Sequence, residues 1–136
     1  MIELGNAPPP FKFSFPLTER EEFHYKKFHK MKKNNTDIII KELSQALKKE
    51  IGPALRDIIL FGSRARGDSS PDSDYDILAL IDKKTKEIED KIFTTSCEIG
   101  WRHNVIITVF VHNKGYFDNK KYEPLFMNIR KEGVHI

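Results

Sequence analysis

Hydrophobic and polar positions change period several times along this chain, and each change marks an element. Phe11, Phe13 and Phe15 alternate with Lys12 and Ser14, a period of two that predicts a short strand between Pro8-Pro9-Pro10 and Pro16. Thr18-Glu19-Arg20-Glu21 fits a capping box and opens a predicted helix over about 19–33, with Phe23, Tyr25, Phe28 and Met31 as an irregular apolar stripe. After Asn34-Asn35, Thr36 is placed to cap a second helix through about residue 50, where Ile39, Leu43, Leu47 and Ile51 recur at helical spacing before Gly52-Pro53. Residues 57–61 then read as a short buried strand, 62–73 as a loop with room for one helical turn, 74–81 as a second strand and 105–111 as a third. Between the last two, Ile88, Ile92, Ser96 and Ile99 share one face of a helix over about 84–102. Pro124 suits a first helical turn, so Leu125, Phe126 and Ile129 fall on a final short helix that stops at Gly133. This order predicts an α/β (α+β) domain, a small mixed β-sheet flanked by helices over residues 36–136, preceded by a helical extension over residues 1–35.

Length and charge narrow the picture. The 136 residues suit a single core. Residues 1–36 hold 7 Lys and Arg against 4 Asp and Glu, which accounts for the whole net charge of +3; residues 37–136 hold 16 of each. The basic run from Lys26 to Lys33 reads first as a solvated helix face, with a surface for nucleic acid or an acidic partner as the alternative. The longest apolar run, residues 105–111, is too short to span a bilayer, and the first residues lack the basic-then-apolar pattern of a secretory signal. The lone Cys97 can form no internal disulfide and no thiolate zinc site by itself, so a reducing, cytoplasmic setting is expected. His24 and His29 are five apart, the wrong spacing for a metal pair on one helix face. Trp101 and Cys97 are expected in the core, and His103 and His112 on the surface at the ends of the third strand.

The chemistry concentrates in Gly62-Ser63-Arg64-Ala65-Arg66-Gly67-Asp68-Ser69-Ser70-Pro71-Asp72-Ser73-Asp74-Tyr75-Asp76. Gly62 permits a sharp turn and a close ligand approach. Ser63 offers a hydroxyl and an N–H suited to a phosphate, and Arg64 and Arg66 add cationic forks. Asp74 and Asp76, two apart on a predicted strand, leave by the same face. Two such carboxylates repel unless a cation lies between them, and hard oxygen ligands suit Mg²⁺ sharing its shell with phosphates. An ordinary surface turn would use the same residue types, and Asp68 and Asp72 fit that role. Asp74 and Asp76 fit it less well, because Ile77, Leu78, Leu80 and Ile81 follow at once and unpaired charge at the head of a buried strand is costly. Neither a P-loop nor a dinucleotide-binding glycine pattern is present.

Gly62-Ser63, ten residues, then Asp74-Tyr75-Asp76 resembles the signature of the polymerase-β-like nucleotidyltransferases, and the wording of the loop resembles their minimal (MNT) branch. The likeness is close over residues 57–81, extends by element order over 36–136 and does not cover 1–35. It implies transfer of a nucleoside monophosphate, AMP from ATP, to a hydroxyl with two Mg²⁺ ions. Gly62 and Ser63 would then hold the triphosphate, and Asp74 and Asp76 would bind the metals and carry catalysis. Arg64 and Arg66 would assist with nucleotide, although the signature does not fix them. The resemblance also implies a partner, a HEPN-type toxin with the chain as its antitoxin; the reading as an interaction protein without turnover expects a partner complex or a homo-oligomer.

The third strand departs from the pattern. Members of the family usually carry a third carboxylate there, whereas Asn104-Val105-Ile106-Ile107-Thr108-Val109-Phe110-Val111 has none. Thr108 is the expected counterpart, and a neutral hydroxyl adds no charge and no base. Three readings stay open: slow catalysis with two acids; a third acid from Glu98, Asp118 or a partner; or a chain that acts by binding a partner without turnover.

Overall fold

The computed structural model describes residues 37–136; the predicted strand over 11–15, the helix over 19–33, His24, His29 and Thr36 lie outside the described residues. Helix α1 (Ile38–Ile51) leads through a 3-10 turn at Gly52–Ala54 into strand β1 (Leu55–Phe61). A one-turn helix α2 (Ser63–Arg66) and a loop connect to β2 (Tyr75–Ile81). Then come α3 (Lys86–His103), β3 (Ile107–Asn113), α4 (Lys114–Asn119), α5 (Pro124–Glu132) and a two-residue β4 (Val134–His135). The sheet order is β3-β2-β1-β4, with β1 antiparallel to both neighbours and β3 parallel to β2, so the sheet is mixed as expected.

Both faces of the sheet are covered, which is why β2 is apolar without a break from Ile77 to Ile81, all 0 % exposed. Ile77, Ala79 and Ile81 meet Leu43 and Leu47 of α1 and Ile92 and Ile99 of α3. Leu78 and Leu80, on the opposite face, meet Phe117 of α4 and Phe126 and Ile129 of α5. Each of these leucine, isoleucine and phenylalanine side chains contributes roughly 1.5–3 kcal/mol on burial. Glu42 of α1 accepts from His103 Nε2 at 2.7 Å and pairs with Arg102, both of α3, and these partners hold its carboxyl below the usual range.

Several local expectations shift. The cap of α1 is Asp37, whose carboxylate accepts from the N–H groups of Ile39 and Ile40. Strand β1 begins two residues earlier than expected, and β2 at Tyr75 rather than Asp74. Thr85 caps α3 by accepting from Ile88 N–H, so that helix starts at Lys86. Strand β3 starts at Ile107, because Asn104 turns left-handed (φ 56°) and Val105 N–H goes back to Gly100. His112 lies within β3, not beyond it: it is partly buried, stacks on Tyr116 and meets the edge of Phe126, and burial lowers its pKa. Helix α4 and strand β4 went unanticipated. Trp101 is 89 % exposed and Cys97 is exposed, so neither belongs to the core.

Candidate active site

The loop between β1 and β2 sits at one end of the two central strands. Phe61, the last residue of β1, pairs with Asp76 of β2, and Asp76 in turn pairs with Thr108 of β3. Side chains in register leave a sheet by the same face. Asp76 alternates with Leu78 and Leu80, which places it on the α4/α5 side.

Gly62 makes the corner. Its φ of 80° and ψ of −160° fall in a region open essentially to glycine alone, and a Cβ there would lie 2.5 Å from Asp76 Oδ2. The backbone thus passes directly over the carboxylate. Ser63 follows as the first residue of α2, where Ala65 and Arg66 N–H donate to Gly62 O and Gly67 and Asp68 N–H donate to Ser63 O. The N–H groups of Ser63 and Arg64 therefore stand outside the helix's own ladder. Gly67, at φ 84°, ends the turn in the left-handed conformation.

The two acids are not placed alike. Asp76 is partly buried within β2, while Asp74 is exposed one residue before the strand. Burial raises the pKa of Asp76 above the ordinary aspartate value; the charges of Asp74 and Glu132 push it the same way, and Arg66 opposes them. A carboxylate that is both desolvated and faced by other carboxylates gains from a cation. A desolvated carboxylate of this kind suits a hard divalent ion whose shell phosphate and water complete. Among the described residues no group of three His, Cys, Asp or Glu could hold a metal ion.

The arginines have specific tasks in the loop. Arg64 donates from Nε and Nη2 to Ser73 O, at 3.1 and 2.8 Å, and from Nη2 to Pro71 O at 3.1 Å. Its guanidinium lies 4.0 Å from the centre of the Tyr75 ring. Arg64 thus ties the start of the loop to the residue just before Asp74. Arg66 is exposed and pairs with Asp68 at 3.2 Å and with Glu132 at 3.3 Å, and these acids raise its pKa. Tyr75 is buried and donates its hydroxyl to Asp37 Oδ2 at 2.9 Å; burial and that carboxylate push its pKa up to about 12. The middle residue of Asp74-Tyr75-Asp76 therefore anchors the loop to the cap of α1.

Glu132 is the residue that sequence reasoning missed. It ends α5, accepts from the Gly62 N–H at 2.8 Å and reaches Arg66, so it braces the glycine corner from 70 positions away. Glu98 and Asp118, the acids proposed to stand in for a third carboxylate, lie elsewhere: Glu98 is exposed on α3, and Asp118 is bound to Lys114 at 2.8 Å on α4. Thr108 does stand next to Asp76, one strand over.

Residues 40–128 match the family model of the nucleotidyltransferase domain. The chain is 32 % identical over 99 residues, 73 % of its length and 95 % of the relative's, to "Putative protein adenylyltransferase MJ0604" of Methanocaldococcus jannaschii. It is 32 % identical over 78 residues, 54 % of the chain and 79 % of the relative, to a second protein of that organism with the same description, MJ0141. Its fold is similar to that of a toxin–antitoxin protein crystallised with AMP-PNP, at a TM-score of 0.53 and 18 % identity over 70 % of this chain and 69 % of that one. The chain belongs to the nucleotidyltransferase domain family.

Proposed function

We propose that the chain is a protein adenylyltransferase that transfers AMP from ATP to a hydroxyl of a partner protein, with a HEPN-type toxin as the partner. The observation that carries this reading is the closeness of Gly62 to Asp76: a polyphosphate seated at the corner lies against that strand carboxylate. Asp74 and Asp76 would hold Mg²⁺, which when bound neutralises phosphate charge and polarises the α-phosphorus. Ser63 would hold a phosphate through its hydroxyl and N–H, with Arg66 supplying positive charge at the rim. The acceptor oxygen forms a bond to the α-phosphorus, the bridge to the β-phosphorus breaks, pyrophosphate leaves and the hydroxyl proton passes to water. The names of the curated relatives, and a fold neighbour solved as a variant with two aspartates, spaced two apart, exchanged for glutamate, support the reading.

A second reading, a nucleotidyltransferase fold that acts by binding its partner without turnover, draws on one observation: Thr108, a neutral residue, stands beside Asp76 where the family resemblance leads one to expect an acid. One experiment separates the two. Purified chain is mixed with Mg²⁺, ATP labelled at the α-phosphate and a HEPN-type partner. Label on the partner that disappears in the Asp74→Ala/Asp76→Ala variant supports transfer. Absence of label, with partner binding unchanged in that variant, overturns it in favour of the second reading.

A further inference from the structure

Glu132 faces the glycine corner by register as well as by contact. Strands β1 and β4 pair Ile59 with His135 and Leu60 with Val134. Continued by two residues, that antiparallel register sets Gly62 opposite Glu132. Gly133 keeps the two segments close: its N–H donates to Ile129 O at 2.7 Å, and a Cβ on it would lie 2.6 Å from Ile59 Cγ2. The Glu132 side chain is 21 % exposed, and its carboxylate accepts from the Gly62 N–H at 2.8 Å. Gly62 is thereby held from both sides. Its carbonyl accepts from Ala65 and Arg66 N–H, which fixes the peptide leading into Ser63, and the bond to Glu132 fixes the peptide before it. Glycine has more backbone freedom to lose than any other residue, and a conformation of φ 80° and ψ −160° persists only where the surroundings over-determine it. A hydrogen bond to an ionised acceptor is the stronger kind. The pairing of the same carboxylate with Arg66 is longer, at 3.3 Å, and the Arg66 side chain is 47 % exposed, so it contributes less.

We propose that Glu132 is a positioning residue for the nucleotide: by holding the Gly62 peptide it keeps Ser63, and the backbone that passes over Asp76, in the arrangement a polyphosphate meets, before any nucleotide arrives. The inference rests on the transferase reading and deepens it, because Glu132 lies outside the Gly62-Ser63 and Asp74-Tyr75-Asp76 signature and acts on it from the far end of the domain's sequence. The energetic consequence is specific. Without the bond to Glu132, Gly62 is tied down from one side, and the formed corner is a fraction of the population. Apparent affinity for a ligand falls by the fraction of chains that are competent to bind it. A chain that has bound nucleotide has its corner formed again, so turnover at saturation is little changed. The loss therefore falls on the KM for ATP and leaves kcat nearly alone.

Two variants of the full-length chain separate this role from a merely structural one. Glu132→Met keeps the length of the side chain and removes the acceptor. Glu132→Gln removes the charge and keeps an oxygen for the Gly62 N–H. Calorimetric titration with ATP and Mg²⁺ is expected to show binding at least tenfold weaker in Glu132→Met and within threefold of wild type in Glu132→Gln. In the transfer assay the KM for ATP should rise by a similar factor in Glu132→Met, with kcat within threefold of wild type. Exchange of the Gly62 amide hydrogen, followed without nucleotide in protein labelled with ¹⁵N-glycine, should be at least tenfold faster in Glu132→Met. Wild-type affinity retained by Glu132→Met overturns the inference even if that variant melts lower, since a purely structural residue would do the same. Glu132→Gln as weak as Glu132→Met overturns it as well, because the charge and its pairing with Arg66 would then be what matters. A wild-type chain that binds no ATP overturns the transferase reading and this inference together, whereas wild-type binding that Glu132→Met leaves intact overturns this inference alone.

Discussion

Asp76 carries the tension of the site. Its carboxylate is partly buried, lies under the Gly62 backbone and faces the charges of Asp74 and Glu132, with Arg66 as the opposing cation. Because burial and neighbouring charge raise its pKa in the folded state, the native chain holds that proton more tightly than the unfolded chain does. The resulting stability is fully present below the ordinary aspartate value of 3.8 and is lost as pH rises through the folded value. At neutral pH without divalent cation, the ionised group therefore works against folding. Asp76→Asn removes this, so the variant is expected to melt higher than wild type at pH 7 in EDTA and to lose that part of the pH slope. Thermal unfolding across pH 3.5–8 measures both effects. The same variant should lower transfer activity by more than the ten- to hundredfold typical of outer-shell partners of a metal site. A stability gain coupled to a loss of activity is what a functional carboxylate leaves behind.

Between elements, the register of β3 on β2 decides what the site lacks. Thr108 and Asp76 are direct partners in a parallel pair, so an acid at 108 would stand beside Asp76 on the same face. Thr108→Asp is expected to strengthen Mg²⁺ dependence and raise label transfer at least tenfold, about 1.4 kcal/mol of barrier. Single-turnover rates at several Mg²⁺ concentrations check it, and an unchanged or lower rate would show that a third acid is not what limits this chain. Thr108 was legible in the sequence, because a strand between a helix and the end of its apolar run leaves few positions to align with Asp74-Tyr75-Asp76. The glycine–serine corner was legible for a similar reason: its residues act within one short loop. Glu132 was not, because its place depends on α5 packing and on the turn after it. A Cβ at Gly133 would lie 2.4 Å from Ile129 O and 2.6 Å from Ile59 Cγ2, so only glycine lets the chain leave α5 toward β1. The available signal was an acid immediately before a helix-ending glycine. Trp101 was misjudged because α3 carries two apolar stripes, Ile92-Ser96-Ile99 and Phe93-Cys97-Trp101, and periodicity alone does not say which one faces the sheet.

At the scale of the whole molecule, the site is assembled from distant parts of the chain that meet only when the sheet is complete. Asp37 precedes α1, the glycine corner joins β1 to α2, the acids head β2, Thr108 lies on β3 and Glu132 ends α5. A ligand that bridges the corner and the acids therefore binds the folded chain and has no counterpart in the unfolded one. Linkage then fixes the expected size of the effect: at one hundred times the dissociation constant, ligand adds about 2.7 kcal/mol of stability. For a domain of this size that corresponds to a rise in melting temperature on the order of 10 °C. ATP with Mg²⁺ should produce the rise, while ATP in EDTA should give much less, because the triphosphate would then face Asp74, Asp76 and Glu132 without a neutralising cation. Mg²⁺ alone should give a small rise in wild type and none in Asp74→Ala/Asp76→Ala. Differential scanning fluorimetry over a nucleotide titration checks all three arms. An equal rise for ATP with and without Mg²⁺, retained in the double variant, would place the nucleotide away from these acids, because a triphosphate held elsewhere on the domain has no reason to depend on them.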